Sequence, residues 1–167
     1  VYTYEDKDDI DSQLYLARGK DNTPEEICWE KSDPKGLVDY INDKYEADSE
    51  ERAQYRRVIR YMKRWKNLKF NSSGNAEPPS IGITLIAADK FEVYRTYDYL
   101  EALIGFAKEI QNLFIFQGVS DNGRLLYRIK YPLPSSLNFE DDTDVFKKMT
   151  DIYMTDFKDK IDKLITD

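Results

Sequence analysis

The sequence predicts a mostly α fold of the α+β class, with a small N-terminal hairpin and a few peripheral strands. Apolar residues recur at intervals of three and four over long stretches of the 167-residue chain, a spacing typical of amphipathic helices. Serine, aspartate or proline stands before most of these stretches, where helices usually begin. Short alternating segments near the N-terminus favour strands instead.

The composition of the chain fits one domain, residues 1–167, with a substantial core. The sequence is 41% hydrophobic, 14% aromatic and 34% charged, and its length is typical of a single domain. No apolar run approaches the ~18 residues that a membrane span needs. The N-terminal residues lack the basic start and apolar region of a signal peptide. We therefore expect a cytoplasmic protein that does not enter a membrane.

Two residue types are almost missing, and their scarcity excludes several chemistries. The chain has one cysteine, Cys28, and no histidine. It can therefore form no internal disulfide, no cysteine or histidine zinc site and no Ser-His-Asp triad. We expect Cys28 to be a buried thiol. A net charge of −7 argues against strong nucleic-acid binding, although it permits a local basic pocket for a phosphate.

Strands are predicted only at the start of the chain and after the fourth helix. Residues 1–5 and 12–17 are expected to pair as a hairpin that Gly19 closes, with no good third strand nearby. An isolated hairpin is marginal in water, so this one needs a larger sheet. The Asn122-Gly123 pair predicts a turn within residues 120–134, followed by a strand-like run.

The helix boundaries follow from capping signals. Ser32 or Asp33 is expected to cap the first helix ahead of Pro34, and Asp48 or Ser49 the second. Pro79 is expected to open the third helix. The predicted helices cover residues 34–44, 48–69, 79–91 and 96–114, and a final helix that begins at Asp141 or Thr143.

The second helix carries a strip of positive charge. At about 100° per residue, one arc is apolar and is expected to face the core: Tyr55, Val58, Ile59, Met62 and Trp65. An adjacent strip is cationic, while Arg57 and Arg64 lie on the far side: Arg52, Arg56, Arg60 and Lys63. The strip either borders a cleft or forms a solvated face whose arginines pair with surplus carboxylates.

Two consecutive motifs resemble a known enzyme family. IRYMKRWK is similar to the spine-helix motif of template-independent nucleotidyltransferases that include oligoadenylate synthetase and the cyclic GMP-AMP synthases, and PPSIGITLIA is similar to the helix that follows it. With YLARGK, WEKSDPKGL and INDKY they resemble bacterial CD-NTases, the cyclic-oligonucleotide synthases of CBASS antiphage defence. The resemblance covers most of residues 12–91. After residue 91 it is limited to the segments PLPSS and DVFKKM.

The resemblance implies a nucleotide triphosphate site. In this family three carboxylates hold Mg²⁺ ions around the reacting phosphate, while a lysine and a serine grip the triphosphate tail. Carried over, these are Lys63 and Ser80, with Arg60 and Arg56 beside them. Ser80 stands at a helix start, where free N–H groups favour an anion, although it also fits an ordinary cap. The next residue is Ile81, where animal relatives place an aromatic residue that stacks on a base.

The catalytic part of the family pattern is absent from this sequence. We find no Gly-Ser loop followed by paired acids, and Val1-Tyr2 resembles the continuation of the strand that carries the third carboxylate. We therefore expect the C-terminal portion of a CD-NTase, with residues 1–20 a remnant of the core sheet and 32–167 the helical domain. We expect it to hold no Mg²⁺ and no catalytic residue. Its partners would be the N-terminal catalytic half, which binds Mg²⁺, and ATP- or GTP-type nucleotides.

Other interpretations remain open. The chain could be a non-catalytic nucleotide-binding sensor or a helical protein-interaction module. Two acidic clusters are expected to be structural. The first is a solvated turn, comprising Asp6, Asp8, Asp9 and Asp11, and the second begins the last helix, comprising Glu140, Asp141, Asp142 and Asp144.

Overall fold

A computed structural model of the protein describes residues 14–18, 28–71, 75–137 and 143–167. Within these ranges the chain forms five helices and two separate two-stranded antiparallel sheets, which confirms the mostly helical α+β class. The elements in chain order are β1 (Leu14–Arg18), β2 (Cys28–Ser32), α1 (Pro34–Asn42), α2 (Glu50–Lys69), α3 (Ser80–Lys90), α4 (Tyr99–Asn112), β3 (Ile115–Val119), β4 (Leu125–Arg128) and α5 (Asp151–Thr166).

The predicted caps begin the first two helices. The Asp33 carboxylate accepts a hydrogen bond of 2.8 Å from the Gly36 N–H, and the Ser49 hydroxyl accepts one of 3.1 Å from the Arg52 N–H. Each cap satisfies an N–H group that has no partner inside its helix. The predicted end of the second helix at Lys69 is also confirmed.

The core lies where α2 and α3 pack against α4 and α5. The predicted inner face of α2 is confirmed, since Tyr55, Val58, Ile59 and Met62 are buried and Trp65 packs partly buried against them. Helix α3 is buried along nearly its whole length, from Gly82 to Ala88. It is therefore the central helix of the domain, and only residues at its two ends are exposed.

The first hairpin differs from the prediction. β1 pairs with β2, in a register that runs from Leu14 opposite Ser32 to Arg18 opposite Cys28. The expectation that no further strand follows nearby is wrong, because Cys28–Ser32 is a strand. Its sequence, CWEKS, has few apolar residues, and charged edge strands give a weak alternation signal. The predicted strand at 1–5, the Asp6–Asp11 turn and the Cys28 side chain lie outside the described residues.

The second hairpin contains the predicted turn. Helix α4 ends at Asn112, and β3 follows after two residues. The chain then turns through Ser120–Gly123, where Gly123 has φ of 81°, and returns as β4. A shift of register between Phe116 and Gly118 marks a bulge, and Gly118 has φ of 127°. Both glycines hold conformations that other residues rarely adopt.

The last helix begins later than predicted. Helix α5 starts at Asp151, with the Thr150 hydroxyl as its cap, so a start at Asp141 or Thr143 is wrong. The Asp144 carboxylate does not lie in a helix. It accepts hydrogen bonds of 3.0 Å from the N–H groups of Tyr131 and Phe146, and so fixes a turn. Glu140, Asp141 and Asp142 lie outside the described ranges.

No helix in the described part of the chain has the length and apolar character that crossing a membrane requires.

Candidate functional site

An open cleft of about 510 Å³ lies between the end of α1, the cationic strip of α2 and the middle of α3. The polar and charged side chains along it come from all three helices: Asn42, Arg56, Arg60, Lys63 and Thr84. The apolar floor is contributed by the inner face of α2.

The walls of this cleft are held in place by tyrosine hydroxyls. Tyr55 of α2 donates a hydrogen bond of 3.1 Å to the carbonyl of Ile41, and so fixes the end of α1 against α2. Tyr40 of α1 donates to the Asp89 carboxylate of α3. Tyr131 donates to the other oxygen of the same carboxylate. Helix α1 is therefore tied to both helices that form the opposite side of the cleft.

Three cations of α2 point along one side of the cleft, which is the arrangement that their spacing of four and three residues predicts. Arg56 donates a hydrogen bond of 3.3 Å to the Asn42 amide oxygen. Within the described ranges, Arg60 and Lys63 have no hydrogen-bonded or carboxylate partner for their side chains, and no described carboxylate lines the cleft. In a chain with net charge −7, this is a local concentration of unpaired positive charge.

Lys63 is electrostatically destabilised as a cation. Burial lowers the pKa of its ammonium, and the nearby charge of Lys66 lowers this pKa further. Both effects arise because little water and no anion compensate the charge. A bound anion would relieve both effects, so the cleft is suited to a negatively charged ligand.

Lys66, one turn beyond Lys63, is buried, with 4% of its surface exposed. Its ammonium forms an ion pair with Glu77 and donates a hydrogen bond of 2.9 Å to the Ser80 hydroxyl. A buried lysine needs such partners, because an unpaired charge in the interior costs several kcal/mol. Lys66 thereby joins α2 to the beginning of α3.

Ser80 is the first residue of α3 and is exposed. Pro79 precedes it and provides no side-chain cap, so the first N–H groups of the helix lack that usual partner. Thr84 lies one turn later on the same face and lines the cleft, while its hydroxyl donates a hydrogen bond of 2.8 Å to the Ser80 carbonyl. Thr84 is therefore the α3 residue that lines the cleft, and Ser80 lies one turn before it.

The structure brings three of the four predicted phosphate-binding residues, Arg56, Arg60 and Lys63, to one cleft. It places the fourth, Ser80, in contact with Lys66 and not in the lining. Arg52, on the same strip, also lies outside the lining, and its Nε is buried without a described hydrogen-bond partner.

Three further residues have roles that the predicted site did not include: Asn42, Thr84 and Lys66. Lys66 carried a usable signal, since it falls on the apolar arc of α2, where a lysine must be buried and paired. Thr84 is four residues after Ser80, which puts both on one helix face. Asn42 gave no signal, because its place at the cleft depends on how α1 packs.

No group of three metal-ligating side chains occurs among the residues that the structure describes. These residues therefore do not fit a Mg²⁺ site of the three-carboxylate kind, and we assign them no metal-dependent step.

Fold and cleft together define a helical α+β domain with a cationic groove suited to an anionic ligand. The chain is similar to a cyclic GMP-AMP synthase from Escherichia albertii, with 28% identity over 118 residues. The match covers 70% of this chain and 25% of that protein, so the chain corresponds to about a quarter of its relative's length. This similarity supports a relationship to the cyclic GMP-AMP synthase-like nucleotidyltransferases. No protein-family profile and no solved structure matches the chain.

Proposed function

We propose that this chain is the C-terminal, helical part of a CD-NTase of CBASS antiphage defence, and that its cleft grips the triphosphate of ATP or GTP. The relative is named as a synthase of cyclic GMP-AMP, which makes these two nucleotides the substrates to test. The proposal rests above all on one observation: Arg56, Arg60 and Lys63 converge on one cleft that has no described carboxylate in its lining.

The size and charge of the cleft support this role. A volume of about 510 Å³ lies within the ~300–1,000 Å³ range of small-molecule sites. A triphosphate presents several negative charges in a row. The three cations follow one another along one helix face, about 4.5–6 Å apart at 1.5 Å per residue, so more than one of them can contact the same tail. Arginine can bind a phosphate through two parallel hydrogen bonds, whereas lysine acts as a compact charge.

These cations would serve catalysis by positioning the substrate. Holding the tail of the nucleotide fixes the α-phosphate relative to an attacking hydroxyl, and orientation of this kind can supply a large part of a rate enhancement. The catalytic carboxylates belong, in this proposal, to another part of the enzyme. The described residues would bind and orient the substrate without carrying out the chemical step, so we expect them to be inactive alone.

The test is a calorimetric titration of the natural gene product with ATP and with GTP, which measures the dissociation constant of each nucleotide. Lys63→Met and Arg60→Gln should each weaken binding at least about tenfold, since each removes a charge that contacts phosphate. Arg64→Gln is the matched control, because it removes an exposed charge from the same helix outside the cleft. Equal effects of the Arg60 and Arg64 variants would contradict the proposal.

Two further measurements distinguish the proposed synthase from a nucleotide sensor and from a protein-interaction module. A nucleotide at 100 times its dissociation constant should raise the free energy of unfolding by ~2.7 kcal/mol, whereas an interaction module predicts no change. Mass spectrometry of the products then distinguishes a synthase from a sensor. A synthase converts ATP and GTP into a cyclic oligonucleotide, whereas a sensor binds them without converting them.

A further inference from the structure

The buried ion pair between Lys66 and Glu77 lies beside the cleft and does not line it. Lys66 is the one buried charged residue in the described part of the chain. A buried ion pair with a purely structural role can often be replaced as a whole by apolar residues of similar size, with a neutral or stabilising effect. The position of its ammonium at the start of α3 indicates a more specific role.

That role concerns the hydroxyl of Ser80. The Ser80 oxygen accepts its hydrogen bond from Lys66 at 2.9 Å. A serine hydroxyl has one hydrogen to donate and two lone pairs that accept. Because Lys66 can only donate, it occupies a lone pair and leaves the Ser80 hydrogen unused. Lys66 is the hydrogen-bond partner of this hydroxyl among the described residues, and Ser80 is exposed, so a ligand could accept the hydrogen.

We infer that Lys66 is a positioning residue for the triphosphate: it fixes the Ser80 hydroxyl as a donor aimed at a bound phosphate, while Glu77 holds Lys66 in place. This inference rests on the proposed function. Donation from a neighbouring ammonium polarises the hydroxyl and strengthens the hydrogen bond that the hydroxyl gives. Ser80 would then contact the phosphate, and Lys66 would act through Ser80.

Glu77 accounts for the geometry. It precedes α3 by three residues and is largely shielded from solvent, with 21% of its side chain exposed. The Glu77 carboxylate and the Ser80 hydroxyl both contact the Lys66 ammonium. These contacts hold residues 77–80, which lead into α3, against α2. Lys63 remains without a described partner, and therefore the two lysines have different tasks. Lys63 would contact the bound anion directly, and Lys66 would orient the Ser80 hydroxyl.

A double-mutant cycle on inorganic tripolyphosphate binding, measured in the natural gene product, tests this inference. Lys66→Met and Ser80→Ala should each weaken binding by about fivefold to tenfold, in line with loss of one hydrogen bond to a charged group. In the Ser80→Ala background, Lys66→Met should have no further effect, because the hydroxyl through which it acts is gone. Effects that multiply in the double variant would overturn the inference.

Conservative replacement supplies a readout that a purely structural lysine would not change. Ser80→Thr keeps the hydroxyl and should restore binding to within about threefold of the unmodified protein, allowing for one hydrogen bond with altered geometry. Lys66→Met should weaken binding again in that Ser80→Thr background, in contrast to the alanine background. If Lys66→Met has equal effects in both backgrounds, Lys66 does not act through Ser80.

Stability needs a separate control, because Lys66→Met leaves Glu77 without its cation. The variant Lys66→Met/Glu77→Gln removes both charges together, and should fold while showing the same loss of binding. If neither Lys63→Met nor Lys66→Met alters binding, the proposed function itself fails. If Lys63→Met weakens binding and the Lys66 variants do not, only the present inference fails.

Discussion

Gly82 of α3 lies directly against the ring of Phe146. A Cβ atom added to Gly82 would be 2.5 Å from Cζ of that ring and within 2.9 Å of both ε carbons. Phe146 is fully buried, and its segment is held by the Asp144 carboxylate, so the ring has little room to move. The absence of a side chain at position 82 therefore allows the turn before α5 to pack on α3.

Gly82→Ala should destabilise the protein by about 1–3 kcal/mol, the usual cost of overpacking a core. Gly105→Ala is the matched control, because a Cβ at that position in α4 meets nothing within 4 Å. This control should be neutral or stabilising by up to about 1 kcal/mol, since alanine favours helix over glycine. Urea unfolding measures the free energy of unfolding of both variants. A smaller loss of this free energy in Gly82→Ala than in Gly105→Ala would contradict the proposed packing of Phe146 on Gly82.

The lowered pKa of Lys63 predicts a pH dependence of anion binding. The charged ammonium binds phosphate, so affinity for ATP should fall as pH rises through this pKa, which lies below the ~10.4 of an ordinary lysine. From about pH 8 upward the terminal phosphate is fully ionised, since its second pKa is about 6, and its own titration does not interfere.

Lys63→Arg provides the comparison for that pH series. Arginine keeps its charge throughout the range, so the variant should bind ATP with nearly constant affinity from about pH 8 to 10. Calorimetric titrations at several pH values measure both proteins. A decline of the same steepness in the arginine variant would show that another group is responsible.

The shared carboxylate of Asp89 predicts loss of stability at high pH. Burial, the hydrogen bond to Asp89 and the charge of Asp89 raise the pKa of Tyr40 to about 12, and the same causes raise the pKa of Tyr131. Both hydroxyls are therefore neutral in the folded protein at a pH where they ionise in the unfolded chain. Their contribution is complete below pH ~10 and is lost as pH rises through the folded pKa.

Urea unfolding at about pH 9, 10 and 11 tests this expectation. The free energy of unfolding should decline over the series, and the decline should be shallower in Tyr40→Phe and in Tyr131→Phe. Tyr97→Phe, which removes a hydroxyl from a side chain that is 75% exposed, serves as the control. If the free energy of unfolding declines with pH as steeply in Tyr40→Phe and in Tyr131→Phe as in the unmodified protein, the interaction with Asp89 is not the cause of the decline.

The helical framework was predictable because its signals are local. Caps such as Asp33 and Ser49 lie beside the groups they satisfy, and the inner face of α2 follows from the helical period alone. β2 was missed since its charged sequence shows no alternation that a core would enforce. The start of α5 was misplaced because Asp144 resembles a helix-capping residue and instead fixes a turn through Tyr131 and Phe146.

The candidate site was predictable only in part. The cationic strip depends on spacing along one helix, whereas its place at a cleft depends on how α1 and α3 pack against α2. The partner of Ser80 was beyond the sequence, because Lys63 and Lys66 are one turn apart and both could reach the start of α3. Packing decides between them: Lys66 lies on the buried side with Glu77, and the structure gives it the hydrogen bond.

The second hairpin contacts α5 through a hydrogen bond and several ion pairs. Arg124 of the turn contacts Asp156 and Asp159 at 2.7 and 2.8 Å, and Arg128 of β4 contacts Asp151 at 2.6 Å. A hairpin of two short strands has little stability of its own. Truncation before Asp151 would remove the partners of both arginines, so we expect β3, β4 and α5 to fold and unfold together as one cooperative unit.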